Sequence, residues 1–162
     1  MSVYGDQYWG PAHIKGKIEV DGQDPTVHIY NVVDNDSALT WTSYQVNVYL
    51  NKTFTLSAVA VTTPGWSVSS VVPAAGGAFL DSDGNPWSYM GAFNLVGTPI
   101  APGGDIGFDY KITFVGSVLY NQEMIPTPEP ATMGLLALGG LALLRRRRAR
   151  AEVTSSAPRR CR

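Results

Sequence analysis

Apolar and polar residues alternate with a period of two over most of the first 125 positions, and no stretch there keeps a helical period. Ile14, Ile18 and Val20 alternate with Lys15, Lys17 and Glu19, which predicts a half-buried strand that stops at Asp21-Gly22. Val27 to Val33 predicts a second strand, closed by Asp34-Asn35-Asp36-Ser37. In the third, Tyr44, Val46, Val48 and Leu50 share one face and Ser43, Gln45, Asn47 and Tyr49 the other. Asn51-Lys52 reads as a tight reversal into Phe54, Leu56, Ala58 and Ala60, so these two strands are expected to pair as a hairpin. After Pro64-Gly65 the pattern resumes with Trp66, Val68 and Val72.

Between Pro73 and Gly104 the alternation loosens. PAAGG, DSDGNPW and GTPIAPGGD enclose only short apolar runs, Ala78–Leu80 and Ala92–Val96, and read as loops and edges. The clearest strand follows, with Ile106, Phe108, Tyr110, Ile112 and Phe114 opposite Gly107, Asp109, Lys111 and Thr113. A short last strand is expected at Val118–Tyr120. Seven to nine short strands with frequent turns predict an all-β domain over residues 1–125: an antiparallel β-sandwich, immunoglobulin-like or jelly-roll, its strand order open.

A different pattern begins at residue 126. Pro128-Glu129-Pro130 precedes an uncharged, leucine-rich run, 131–144, and then Arg145, Arg146, Arg147 and Arg148. Fourteen helical residues extend about 21 Å at about 1.5 Å each, against a hydrocarbon core about 30 Å thick. Arginine stems lying along hydrocarbon, with their charged ends at the interface, lengthen the span. A packed soluble core has no use for four successive cations, so a single C-terminal transmembrane helix is expected. Residues 126–162 carry eight Arg against Glu129 and Glu152, a net of +6, whereas residues 1–125 carry four Lys against eleven acids, a net of −7. The near-neutral total of −1 conceals this polarity. The positive-inside rule then keeps the arginines cytoplasmic and puts the acidic domain outside. Residues 149–162, polar and basic without periodicity, read as a disordered cytoplasmic tail.

The triplet, the apolar helix and the terminal arginine cluster, in that order, resemble the PEP-CTERM sorting signal of Gram-negative bacterial surface proteins. The resemblance covers only this segment, and the tail beyond Arg148 departs from it, since such signals usually end near their basic cluster. It implies an inner-membrane precursor processed by a membrane-embedded exosortase, a cysteine-type transpeptidase, and delivery to the cell surface or medium. It also implies association with exopolysaccharide or biofilm matrix. An exported chain needs a leader, and MSVYGDQYWGPAH has neither a basic opening nor an apolar core. A missing upstream N-terminus is therefore expected.

Composition narrows the chemistry. The single cysteine, Cys161, lies in the tail, so the domain holds no disulfide and depends on sheet packing. The two histidines, His13 and His28, sit in no spacing that marks catalysis, and no enzyme activity, cofactor or nucleic-acid partner is expected. A hydrolase reading would need a cleft that holds one of them beside a carboxylate. Asp81, Asp83 and Asn85 alternate oxygen ligands around Gly84, as in a Ca²⁺ loop. The further ligands and downstream glutamate of an EF-type loop are missing, so the segment reads as a polar turn and no metal is expected. Trp9 and Trp87, in Gly/Pro-rich surroundings, are candidate glycan contacts. The expectation is therefore a non-enzymatic surface or matrix protein held by membrane lipid before processing, with a carbohydrate-binding module as the alternative.

Overall fold

Tyr44, Val46, Val48 and Leu50 are completely buried, and the strand that carries them, β4 (Trp41–Leu50), is the middle of a five-stranded sheet. The computed structural model describes residues 1–8, 10–20, 22 and 24–128. Among them the other strands are β1 (Ser2–Gln7), β2 (Ala12–Glu19), β3 (Thr26–Asn35), β5 (Thr55–Val61), β6 (Trp66–Leu80), β7 (Pro86–Ile100), β8 (Asp105–Thr113) and β9 (Ser117–Pro128), with no helix. One sheet runs β1-β3-β8-β5 and the other β2-β9-β4-β7-β6. All pairs are antiparallel except β1–β3, which is parallel. The unit formed by Met1–Pro128 is compact.

The inner faces of the two sheets meet in one core. Phe93 of β7 lies with its ring centroid 5.8 Å from Phe108 and 5.2 Å from Tyr110, both on β8 of the other sheet. Tyr44 meets Phe108 at 5.9 Å. Such aromatic contacts are worth about 0.5–1.5 kcal/mol each beyond the area they bury. A polar seam crosses the same core. The Tyr110 and Tyr120 hydroxyls, 2.6 Å apart, both donate to Gln122 Oε1, and Gln122 Nε2 donates to Asn31 Oδ1 at 2.9 Å. It joins β3 and β8 of one sheet to β9 of the other. Burial raises the pKa of both tyrosines, so they remain neutral donors.

The chain changes sheet at every connection but one, and only β6–β7 joins neighbours directly. This overturns the expected hairpin at Asn51-Lys52. β4 pairs with β7 and β9, and β5 pairs with β8. Both strands point apolar residues at the same core, but from opposite sheets, and alternation alone does not separate that arrangement from a pair. β5 also departs from simple alternation. A register shift between Ser57 and Ala60, with Ala58 at φ 49°, exposes Ala58 and Ala60 and turns Val59 and Val61 toward the core. A bulge inverts the facing of every later residue.

The loosened stretch after Pro73 is the second correction. β6 and β7 are fifteen residues each and form one long hairpin. Three register shifts, at Val68/Ser70, Val72/Ala75 and Gly76/Phe79, absorb the prolines and glycines. β6 is the sheet edge, where the missing N–H of Pro73 can face solvent at little cost. The last strand is likewise longer than Val118–Tyr120 and continues to Pro128. The helix expected at 131–144 lies outside the described residues.

Candidate functional site

The tip of the β6–β7 hairpin, residues 81–85, lies against the outer face of its own sheet. That face is polar because β2, β4 and β9 alternate: His13 and Lys15, Asn47 and Tyr49, and Asn121 and Glu123 point away from the core. The tip buries this patch. Glu123 is 2 % exposed and Asp81 4 % exposed.

Asp81 organises the tip. Its Oδ1 accepts from the backbone N–H of Asp83 (3.1 Å) and Asn85 (2.8 Å) and from Asn85 Nδ2 (3.0 Å). Its Oδ2 accepts from Trp87 Nε1 (3.1 Å) and Asn121 Nδ2 (2.9 Å), and the Lys15 ammonium stands 3.4 Å away. Burial, the largest single effect, disfavours the ionised carboxylate. The donors from Asn85, Trp87 and Lys15 together outweigh it and hold Asp81 well below the usual carboxylate range. Glu123 behaves alike. Burial opposes its charge, but Ser82, Asn47 and Tyr49 lower its pKa, with contacts of 2.9 Å from Ser82 N, 2.9 Å from Asn47 Nδ2 and 2.8 Å from Tyr49 Oη. Lys15 is the counter-ion, 2.6 Å from Asp83, and that bond raises its pKa.

His13 completes the patch. Its Nε2 lies 2.9 Å from Ser82 Oγ and its Nδ1 3.2 Å from Asn121 Oδ1. It also stands 3.8 Å from Glu123 and 3.7 Å from Asp83. A hydroxyl, an imidazole and an orienting amide in series have the connectivity of a nucleophile and its base. The surroundings oppose that chemistry. The amides of Asp81, Ser82, Asp83, Gly84 and Asn85 all donate within the tip or to Glu123, which leaves none for an oxyanion. The two carboxylates beside the imidazole would repel developing negative charge.

His13, Asp81 and Asp83 can bring one ligand atom each within 4.8 Å of one another. The Lys15 ammonium already bridges the two aspartates, so the position open to a cation is held by the chain's own. Asn85 turns its amide nitrogen rather than its oxygen toward Asp81. What the arrangement does chemically is pin the hairpin to the sheet.

Trp87 is half-buried, its indole N–H on Asp81 and its ring 6.0 Å from Tyr49. Its free side opens on a shallow groove with Phe79, Leu80 and Pro86. Trp9 lies outside the described residues. On the other sheet, His28 Nε2 sits 2.8 Å from Asp109, and the Tyr30 hydroxyl reaches its Nδ1 at 2.6 Å. Thus each histidine stands beside a carboxylate, on an outer face. The sequence did not join His13 to the 81–85 turn. The signal was the outward register of Lys15, Asn121 and Glu123, polar residues in strands that otherwise alternate cleanly.

Of the sorting triplet, Pro128 is the final residue of β9 and pairs with Trp41 of β4. Glu129, Pro130 and Arg145 to Arg148 lie outside the described residues. Residues 126–148 match the PEP-CTERM protein-sorting motif. A signal of this kind indicates exosortase-dependent sorting to the cell surface, and the chain carries one. No curated protein and no solved structure matches the chain.

Proposed function

We propose that this is a non-enzymatic surface or matrix protein of a Gram-negative bacterium, a β-sandwich that travels as an inner-membrane precursor and is released by exosortase at its C-terminal signal. The observation that carries the reading is the sorting motif at 126–148, directly continuous with an all-β unit that ends at Pro128. The strand order supports a jelly-roll rather than an immunoglobulin-like winding. β2-β9-β4-β7 and β3-β8-β5 alternate between sheets as two interlocked Greek keys do, with β6 moved to the edge beside β7. The engaged amides of residues 81–85 and the buried carboxylates of Asp81 and Glu123, each held by several donors, favour a structural role for the outer face over catalysis. In the membrane-held precursor, residues 131–144 span lipid and Arg145 to Arg148 remain cytoplasmic. Surface delivery brings the domain to exopolysaccharide.

Glu129→Ala in the full chain, exported in a host with the sorting enzyme, tests the reading. Wild type should lose its arginine tail and reach the surface or medium, while the variant stays at full length in the inner membrane. Retention of both uncleaved would show an ordinary anchor.

A carbohydrate-binding reading is favoured by one observation, the groove beside Trp87 and Phe79. An aromatic face with Ser88 at the rim suits a sugar ring. Loss of exopolysaccharide retention in Trp87→Ala, with the fold intact by circular dichroism, would support it.

A further inference from the structure

β9 changes character at Met124. Up to that residue it is flanked on both sides, by β4 and by β2, whose pairing ends at Ala12 opposite Met124. Tyr120 to Met124 are all buried. Beyond it, Ile125 to Pro128 pair, among the described residues, with β4 alone, and none of the four is buried. The edge is finished by Gln7, whose Nε2 donates to the Met124 carbonyl at 3.0 Å and to the Gly10 carbonyl at 2.7 Å. The pairing is weakened again at its last step, where a register shift between Trp41 and Ser43 sets a bulge opposite Thr127 and Pro128. Bulges of this kind terminate ladders.

Backbone polar groups in a strand turn to alternate sides. The Leu119 carbonyl accepts from Asn51, just beyond β4, and the Gly116 carbonyl from Val20, just beyond β2, which fixes the phase. Even-numbered positions face the open edge, and odd-numbered ones face β4. Pro126 and Pro128 therefore place their missing N–H groups on the open edge, where no ladder bond is lost. That edge offers no donor to an incoming strand. The donors of the segment, Ile125 and Thr127, face β4. An enzyme that grips an extended chain by its backbone finds one edge without donors and the other already paired.

The sorting motif begins at residue 126, inside this strand. We infer that residues Ile125–Pro128 exchange partners during sorting: they must peel from β4 before the sorting enzyme can take the triplet, so that recognition extends into the fold and its rate is set by the opening of this strand end. The inference rests on the sorting function proposed above. It assigns Ile125–Pro128 as a docking segment for the enzyme, held in reserve by Ser43, Tyr44 and Gln45. The core need not open with it, because the strand remains doubly flanked as far as Met124.

A reversible clamp tests it. Ser43 and Thr127 are strand partners on the outer face, so Ser43→Cys with Thr127→Cys, in a chain carrying Cys161→Ser, forms a disulfide across the peeling segment without entering the core. A control clamp, Thr26→Cys with Thr113→Cys, uses a pair whose Oγ1 atoms are 3.0 Å apart on β3 and β8. The full chain is processed in membranes that contain the enzyme, with and without reductant. The oxidised 43–127 clamp should slow tail removal at least tenfold and reductant should restore it, while the control clamp changes nothing. Six Gly/Ser residues inserted between Thr127 and Pro128 should abolish the effect of the clamp. Equal processing of clamped and unclamped chains overturns the partner exchange and leaves the sorting reading intact. No processing of the unclamped Cys161→Ser chain overturns the sorting reading, and the inference with it.

Discussion

The backbone N–H of Ser82, at the tip of the β6–β7 hairpin, donates to Glu123 Oε1 on β9 at 2.9 Å. The tip is thereby fastened across two strands of its own sheet, and Asp81 fastens it again through Asn121. The edge strand β6, fifteen residues long with three register shifts, is otherwise laddered to β7.

Asp81→Ala removes the acceptor of five neighbouring donors. Hydrogen bonds to a charged group contribute about 1.5–3 kcal/mol, and leaving buried donors unmade adds to the loss. We expect destabilisation by about 3 kcal/mol, read as a lower urea midpoint of the purified protein. Asp83→Ala, whose carboxylate is exposed and meets Lys15 at the surface, should change it by less than about 1 kcal/mol.

Acid should loosen the same patch. Asp81 and Glu123 are both held below their ordinary values of 3.8 and 4.5. A carboxylate with a depressed folded pKa contributes stability that is fully present above its unfolded pKa and lost as pH falls through the folded one. The urea midpoint should stay level from neutral pH to about 5 and then fall with acidification, as carboxylates titrate. Asp81→Asn should flatten that fall. An unchanged slope would mean that folding does not depress the pKa of Asp81.

Calcium should bind weakly or not at all at 81–85, because Lys15 supplies the positive charge there. Calorimetry should give at most the millimolar affinity of extracellular modules. Micromolar binding abolished by Asp83→Ala would refute the arrangement described.

Gln122→Leu should be costly despite its apolar replacement. The Tyr110 and Tyr120 hydroxyls lose their common acceptor and Asn31 loses its donor. A loss of about 2–4 kcal/mol is expected from stranded buried polar groups. Adding Tyr110→Phe and Tyr120→Phe should recover part of it, measured by the thermal midpoint.

What the sequence determined by itself is local. The period-two alternation marked β2, β3, β4 and β8 and the buried faces of the last two, because side chains in a strand must alternate whatever the strand pairs with. The triplet, apolar run and arginines marked the sorting signal, because the motif is a contiguous run of residues that can be read along the chain. The partners were decided by the tertiary structure. β4 and β5 look like a hairpin along the chain and lie in different sheets, since one core satisfies apolar faces from either side. Ala58 and Ala60 changed faces through a bulge that requires only one positive φ. Pro73 and Gly76-Gly77 read as breakers, yet an edge strand tolerates them where a central strand would not. His13, Lys15, Asp81 and Glu123 come from three distant segments, and it takes the pairing of β2 with β9 and the folding back of the hairpin over both strands to bring them together. The same holds at Pro128, which belongs to the sorting signal by its neighbours in sequence and to β9 by its pairing with Trp41.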